Sequence, residues 1–446
     1  MSSLKEKIQQ HPLVQRINKS DIGHRMASGA SWSFTGTALA KFIVLVAGIA
    51  CAHVLGKHEY GQFGMVRSTI SLFVVFGFAG MGLTATKFIS EYKKDHKERI
   101  PSIYLLTNGF AILTGLLVAI AILFLAPTIA DRTLNAPELV VPLRVGALLL
   151  FVTVINGAQQ GTLAGFENFK AIALNTLIGS IAESVLMLIG GYYWGVTGAV
   201  LGFGSGFIVL YVANNISIRK NFLSYGLERR LSLFDKKDLH LLYKFSLPAM
   251  LSSLMVAPVF WIVRTMLVNY TNFEELAVYE AADQWKVIIL FIPAAVSHVA
   301  LPILSSLVND SQERYWKTLR YNILLNASIS AIFALIVCLC SSFIMHFYGK
   351  GYTDPMPLVY LVLSTIFTSI STVVGISIQS QSKMWTGFGF NLFWGLMVIG
   401  FSYLFLNYGM GASGVALGIM CAYAVHAVLQ YVYLRISVQK KVVANG

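Results

Sequence analysis

Eight ionisable side chains lie inside long apolar stretches of this sequence, where a charge is costly unless it is paired or faces water. Five are basic and three are acidic: Lys41, Arg67, Arg144, Arg264 and Lys286, with Glu183, Glu280 and Asp283. A cavity lined by them would favour an anion, because Lys and Arg form charge-assisted hydrogen bonds with phosphate oxygens. We therefore predict that the five basic residues bind an anionic substrate.

Depth within the apolar stretches distinguishes these residues further. Lys41 is deepest, near the middle of TGTALAKFIVLVAG, so we predict that it faces the cavity. The three arginines lie nearer the ends of their stretches, where a long side chain can also reach the lipid headgroups. Glu183 is a candidate site for coupling to H⁺ or Na⁺, and Glu280 and Asp283 are further coupling or gate candidates. The alternative for Glu183 is a structural partnership with Arg144.

An offset of 216 residues relates several candidate gate and hinge positions. It separates Arg67 from Asp283, and a salt bridge between these two would close one side of the cavity. It also separates Gly77 from Pro293. Proline removes a backbone hydrogen bond and bends a helix, so we predict hinges at Pro258, Pro293 and Gly77. A static kink is the alternative for each proline.

The composition indicates that membrane-spanning helices position these residues. The chain is 56% hydrophobic and only 12% charged, whereas soluble domains carry about 25% charged residues. Twelve apolar stretches are long enough to cross a bilayer. They cover roughly 27–55, 62–88, 102–126, 138–163, 171–193, 196–217, 241–269, 276–304, 320–344, 356–379, 386–407 and 410–434. The predicted fold is an all-α polytopic membrane protein with two parallel six-helix repeats around a central cavity.

The distribution of Lys and Arg predicts the orientation in the membrane. Twenty-five lie in loops and tails on one side of the predicted spans and three on the other, with five inside the spans. The positive-inside rule places the basic side, including both termini, in the cytoplasm. Membrane orientation thus accounts for the net charge of +13, and we predict no nucleic-acid partner.

Matching residues support two repeats at the same 216-residue offset. Asn175 and Gly179 correspond to Asn391 and Gly395, Glu59 corresponds to Glu275, and the glycine-rich start at 195–202 corresponds to 411–418. The predicted organisation is a cytoplasmic tail at 1–26, a lobe at 27–217, a basic cytoplasmic linker at 218–240, a second lobe at 241–434 and a tail at 435–446. An even number of spans in each repeat makes the repeats parallel, with a site between them.

No catalytic constellation is evident, so an enzyme is not expected. The sequence has no phosphate-binding glycine loop, no His/Cys cluster and no acidic pair in an external loop. The four cysteines lie in apolar stretches without metal-ligand spacing, which predicts small packing residues. We predict no metal site and no cofactor, apart from a coupling ion.

Five motifs occur in order along the chain: GASWSFTGTALAKF, VLGKHEYGQFGMVRS, GFAGMGLTATKFISEY, LAGFENFK and AVYEAADQWKVIILFIPAAVSHVALPILS. With them, the chain resembles a Wzx-type polysaccharide flippase of the multidrug/oligosaccharidyl-lipid/polysaccharide exporter superfamily. One departure is His53, where many relatives have Arg. The resemblance implies a multi-pass protein of the bacterial inner membrane that moves an undecaprenyl-pyrophosphate-linked oligosaccharide, such as an O-antigen unit, to the outer leaflet by alternating access. Implied partners are that lipid, membrane lipids, a polysaccharide polymerase and other assembly proteins.

Other functions fit the sequence less well. A multidrug exporter of the same superfamily typically handles organic cations and would need an acidic cavity. A major facilitator protein has the same span count, but its Asp-Arg signature is missing from EYKKDHKERIP. A sugar-polymerising enzyme would need a large external loop, which the short outward connections do not provide. A scaffold for other assembly enzymes remains open.

Overall fold

A computed structural model describes residues 21–78, 80–227, 255–307, 312–381 and 383–445. The fold is all-α, and the described residues contain no β-strand. Its helices are α1 (Asp21–Phe78), α2 (Met81–Asp95), α3 (Ile100–Thr128), α4 (Val140–Gly165), α5 (Phe169–Ser224), α6 (Val256–Tyr270), α7 (Phe273–Leu307), α8 (Gln312–Leu339), α9 (Ser341–His346), α10 (Met356–Ser380), α11 (Met384–Asn407) and α12 (Gly411–Asn445). Long apolar helices suit a bilayer, because each backbone N–H and C=O is satisfied within its own segment.

The helix α1 is folded into two arms by a break at Gly56, whose φ is 75°. We call the arms α1a (21–55) and α1b (57–78). Gly48 in α1a approaches Gln284, and Gly64 in α1b approaches Glu280, only one turn away on α7. The two arms therefore run side by side against the same helix, as two spans rather than one.

The helix α5 is folded in the same way, with non-helical backbone at Trp194 and Gly195. Its arms are α5a (169–193) and α5b (196–224). Gly190 packs against Gly198, and Gly202 packs against Leu186, so the arms run antiparallel with their backbones in close contact. Small residues allow this approach, which stabilises helix pairs in membranes.

The all-α polytopic fold predicted from the sequence is confirmed. In the described part of the chain, eight helical stretches are long and apolar enough to cross a membrane, and two of them are the folded pairs in α1 and α5. Ten of the predicted spans fall on these eight stretches or their immediate continuations in α2 and α9, whereas the seventh and eighth fall on α6 and α7, which are not among the eight. Residues 241–254 of the seventh lie outside the described residues. The linker predicted from residue 218 starts inside α5, which continues to Ser224; residues 228–240 are not described. The predicted C-terminal tail continues α12 to Asn445.

One predicted span is interrupted. The second was predicted as continuous over 62–88, but α1 ends at Phe78 and α2 begins at Met81. Gly80 has φ 70°, a conformation that L side chains rarely adopt. Gly77 lies one residue before the end of α1, against Val154 of α4, and its carbonyl accepts a hydrogen bond from Thr114 at 2.8 Å.

The 216-residue offset has a structural counterpart at two helix starts. The carboxylate of Glu59 lies against Gly195, where α5b begins, and the carboxylate of Glu275 lies against Gly411, where α12 begins. Both glycines have positive φ, at 54° and 52°. Glu275 also accepts a hydrogen bond from the Ala412 backbone N–H at 2.8 Å. A carboxylate is favourable at a helix N-terminus, so each repeat fixes its last span by the same means.

Candidate functional site

A cavity of about 710 Å³ lies between the N-terminal helices α1 and α5 and the C-terminal helices α6, α7 and α12. Seven of the eight ionisable residues selected from the sequence line it, namely Lys41, Arg67, Glu183, Arg264, Glu280, Asp283 and Lys286. They come from five helical segments: the two arms of α1, the first arm of α5, and the helices α6 and α7. The cavity is therefore built by both repeats.

Arg144 is the exception. It belongs to α4, it is exposed, and it does not line the cavity. The structure therefore does not place Arg144 with the other predicted binding residues, and its role in substrate binding stays a prediction. Within the described residues it also forms no ion pair with Glu183, so that alternative is not observed. Position along a span gives the depth of a residue but not the face of the helix on which it lies.

Four of the cavity residues form one network of ion pairs. Arg264 donates from Nε to Glu280 at 2.5 Å and from a terminal nitrogen to Asp283 at 3.0 Å. Lys286 donates to the other oxygen of Asp283 at 2.8 Å. All four side chains are largely buried, and Arg264 and Glu280 are each under a tenth exposed. Two cations thus neutralise two carboxylates, and the sequence-based gate between Arg67 and Asp283 is replaced by this network.

Aromatic rings surround the network and fix its cations. The Nζ atom of Lys286 lies 4.5 Å from the ring centre of Phe260. The guanidinium of Arg264 lies 5.0 Å from the ring centre of Tyr279, which is fully buried. A cation over an aromatic face is stabilised further when water is excluded. The network is therefore a rigid wall of the cavity.

Lys41 and Arg67 are different, because neither forms an ion pair in the described residues, although Arg67 is close enough to Glu183 for the two charges to attract. Arg67 lies 5.6 Å from the ring centre of Phe63 and 5.3 Å from that of Phe203. Lys41 lies 5.9 Å from the ring centre of Phe291. The positive charge available to a ligand is therefore on the N-terminal side of the cavity. Glu183, half-buried on the same side, is the nearest acidic contribution to that surface.

Contacts between the two halves close one end of the cavity. We call this the sealed end; it contains Gly56 and Gly195 and the start of α7. His58 and Glu274 are 216 residues apart and contact each other at 2.9 Å, so equivalent positions of the repeats meet there. Sequence analysis did not select this pair, although the shared offset pointed to it. Both side chains are exposed, so the pair contributes about 1 kcal/mol at most.

Glu274 lies before the predicted eighth span. Partial burial acts to raise the pKa of Glu274, but hydrogen bonds from its own backbone N–H and from His58 outweigh it and hold the pKa below its ordinary value. Glu274 is therefore a carboxylate that can accept the hydrogen bond from His58.

Backbone contact closes the sealed end more tightly than the ion pair does. Gly61 of α1b lies against the carbonyl group of Phe273, the first residue of α7, and a Cβ atom at Gly61 would overlap that oxygen. Next to Gly61, the buried hydroxyl of Tyr60 accepts a hydrogen bond from Gln284 of α7. The hydroxyl of Tyr348 in turn donates to Gln284 at 3.3 Å. Between α1b and α6, Trp261 donates to Thr69 at 3.0 Å.

The predicted hinges occupy three different settings. Pro258 lies in the first turn of the described part of α6, where a proline needs no backbone donor. Pro293 lies inside α7, which is helical over Phe273–Leu307. Gly77 lies in the last turn of α1, which ends at Phe78. Their role as hinges stays a prediction. Of the three, only Gly77 lies next to the end of a helix.

Comparison with known proteins places this architecture in a family. The model of the family described as "Polysaccharide biosynthesis protein" matches residues 26–308. The chain belongs to this family. Two relatives are the EPS I polysaccharide export inner membrane proteins EpsE of Ralstonia nicotianae, 23% identical, and of Ralstonia solanacearum, 24% identical. Each alignment covers 85% of this chain and 87% of the relative.

Solved structures share the fold. An inward-facing multidrug resistance MATE family transporter of the MOP superfamily superposes with a TM-score of 0.74 at 18% identity, over 90% of this chain and 95% of the other. A MOP superfamily transporter from Pyrococcus furiosus gives 0.68 at 16% identity, over 92% and 95%. The predicted relationship to polysaccharide biosynthesis proteins is confirmed by the family model, and the fold is that of MOP superfamily transporters. Its relatives are inner membrane proteins, and this chain is a multi-pass membrane protein.

Proposed function

We propose that this protein is a flippase that moves an anionic, polyprenyl-pyrophosphate-linked oligosaccharide from the inner to the outer leaflet. One observation carries the proposal: Lys41 and Arg67 line a cavity between the repeats and form no ion pair in the described residues. Two such cations suit the oxygens of a pyrophosphate, which accept charge-assisted hydrogen bonds. The hydrocarbon tail of the same lipid would stay in the bilayer, where exposed apolar side chains already face outward.

The family and its relatives support a polysaccharide as cargo. EpsE is described as a polysaccharide export inner membrane protein. The Pyrococcus furiosus structure was reported with the statement that reverse polarity of its binding pocket suggests a different function. Net positive charge in the cavity of the present chain likewise disfavours the organic cations that a multidrug exporter carries. We therefore prefer the anionic lipid to a cationic drug as substrate.

Alternating access supplies the mechanism of this proposal. The predicted cytoplasmic side is the basic one, so the sealed end faces outward and the bound pyrophosphate enters from the inner leaflet. Superposition on the inward-facing transporter gives a higher TM-score, 0.74, than superposition on an outward-facing form, 0.68. Substrate would then be released outward when the contacts at Gly61 and His58 separate and the lobes close at the opposite end.

Glu183 is the proposed coupling residue. Its carboxylate lines the cavity on the same side as Lys41 and Arg67, and it has no ion pair among the described residues. Protonation of Glu183 would remove the negative charge on this side of the cavity and so favour a bound anion. By linkage, a bound anion would equally favour the proton, so a proton at Glu183 would be bound together with the substrate. A sodium ion at the same carboxylate is the alternative coupling ion.

Replacing either free cation is expected to weaken substrate binding. Lys41→Ala and Arg67→Ala should each lower the affinity for a short polyprenyl pyrophosphate sugar about tenfold or more, because a charge-assisted hydrogen bond contributes about 1.5–3 kcal/mol. Calorimetric titration of the detergent-purified protein measures this. Arg144→Ala is the matched control, since it removes the same charge outside the cavity. Equal affinities for Lys41→Ala, Arg67→Ala and the wild type would refute the proposed pyrophosphate site.

A further inference from the structure

A second basic pocket lies far from the central cavity, at the end of the molecule opposite the sealed end. It has a volume of about 830 Å³ and is formed by the start of α8 and the end of α12. Three cations, Lys317, Arg320 and Arg435, line it together with one acid, Glu313. None of these four side chains forms an ion pair with another residue in the described part of the protein. The pocket therefore presents a net charge of two positive units without internal compensation.

The pocket has a built aromatic floor. Trp316 of α8 and Tyr431 of α12 both line it, and their rings meet edge to face with centroids 6.5 Å apart. Directly beneath them, Tyr315 and Leu319 are buried in a separate hydrophobic cluster with Leu434. The floor is thus held by close packing between the two helices, and the cations are displayed at its rim.

The lining of the pocket changes from basic side chains to apolar and aromatic side chains in the direction of the membrane. Lys317, Arg320 and Leu324 follow one another at helical spacing on one face of α8, and Arg435 is one turn beyond Tyr431 on α12. Tyr321 and Leu324, which continue the lining toward the bilayer, are each more than 60% exposed. A ligand that fits has an anionic group between the three cations and an apolar part along Tyr321 and Leu324. Tyr and Trp also prefer the depth of the lipid headgroups.

We propose that this pocket binds the phosphate headgroup of an anionic phospholipid from the leaflet at the basic end, which is the predicted cytoplasmic leaflet. Basic clusters beside membrane helices attract anionic headgroups, at about 1 kcal/mol for each Lys or Arg. The bound lipid would link α8 to α12 within the C-terminal half. This proposal does not depend on the proposed flippase activity, because the pocket shares no residue with the central cavity. The two proposals can therefore be tested separately.

The test is binding of defined lipids to delipidated wild-type protein, followed by native mass spectrometry. The probes are phosphatidylglycerol, phosphatidylcholine, inorganic phosphate and a polyprenyl pyrophosphate. The pocket variant is the triple substitution Lys317→Gln, Arg320→Gln and Arg435→Gln. Its matched control is Lys97→Gln, Arg219→Gln and Lys220→Gln, which removes three exposed cations from other helices at the same end. All six positions are exposed, so both proteins are expected to fold.

The expected result is that phosphatidylglycerol binds the wild type and the control variant equally, and binds the pocket variant at least about tenfold more weakly. Phosphatidylcholine should bind much more weakly because its headgroup has no net negative charge. Inorganic phosphate should bind much more weakly because it has no apolar chains. Three results would overturn the assignment: equal binding of phosphatidylglycerol to all three proteins, equal binding of phosphatidylcholine, or a pocket-dependent preference for the polyprenyl pyrophosphate. The last would make the pocket a docking site for substrate instead.

Discussion

Replacing Gly61 with alanine is expected to open the sealed end, which the proposed orientation places on the outer side. In the sealed state a Cβ atom at this position overlaps the carbonyl oxygen of Phe273, and both partners are backbone atoms that cannot rotate away. Overpacking of this kind costs about 1–3 kcal/mol, which shifts a two-state equilibrium by roughly fivefold to more than a hundredfold. The exposed pair of His58 and Glu274 contributes too little to hold the end closed by itself.

Labelling of a single cysteine measures this shift. Ser68 lines the cavity, so Ser68→Cys in a background without the four native cysteines reports on access from outside. Gly61→Ala should increase the rate of modification by a membrane-impermeant thiol reagent several-fold. Gly375→Ala is the matched control, because a Cβ atom at Gly375 has no neighbour within 4 Å. If Gly61→Ala and Gly375→Ala label at the wild-type rate, the backbone contact does not hold the outer side closed.

Removing Glu280 is expected to destabilise the protein strongly. Glu280→Leu leaves the buried guanidinium of Arg264 with only one carboxylate, Asp283, which it shares with Lys286. Breaking a buried ion pair from one side costs about 3–5 kcal/mol, because the remaining charge stays desolvated. Thermal denaturation of the purified protein in detergent should therefore show a melting temperature several degrees below that of the wild type.

A double variant separates this effect from simple loss of packing. Glu280→Leu combined with Arg264→Met removes both charges and keeps the pair of Asp283 and Lys286 intact. Apolar replacements of a buried pair are often neutral, so the double variant should recover most of the lost stability. A double variant as unstable as Glu280→Leu alone would show that the network is not the cause. Lys286→Met, which removes a different member, should destabilise by leaving Asp283 with one partner.

Hydropathy and charge placement predicted much of this fold. Apolar runs of bilayer length have few alternatives to helix, so segments such as 102–126 and 386–407 agree with α3 and α11 within a few residues. The offset that relates Glu59 to Glu275 reappears as a shared helix-start geometry at Gly195 and Gly411. Apolar runs and a constant offset between repeats are local or periodic features, so they can be recognised in a single sequence.

The pairing inside the cavity could not be predicted in the same way. Asp283 and Lys286 are three residues apart on one helix, and that contact was readable from spacing. The contact of Arg264 with Glu280 and Asp283 depends on how α6 turns against α7, which no spacing within one helix determines. The position of Arg144 could not be predicted for a related reason. Its charge and its depth in the span are those of a cavity residue, but it lies on an exposed face of α4.

Breaks in the helices were the other difference. Hinges were predicted at Pro258, Pro293 and Gly77, and of these only Gly77 lies next to a helix end, that of α1 at Phe78. A proline at the start of a helix costs little, and neighbouring helices can satisfy the carbonyl that a proline frees within a membrane span. Gly80, which precedes α2, has a positive φ that glycine adopts without strain, and the sequence does not show which of the glycines near Gly77 takes this conformation.

The most direct test of the account is transport by the purified protein in liposomes. A fluorescent polyprenyl pyrophosphate sugar and a cationic dye are supplied to parallel preparations of wild type, Lys41→Ala and Arg144→Ala. The account predicts that wild type and Arg144→Ala move the lipid across the bilayer, that Lys41→Ala does not although it folds, and that none moves the dye. Export of the dye by a wild type that leaves the lipid in place would contradict it and would make the protein a cation exporter.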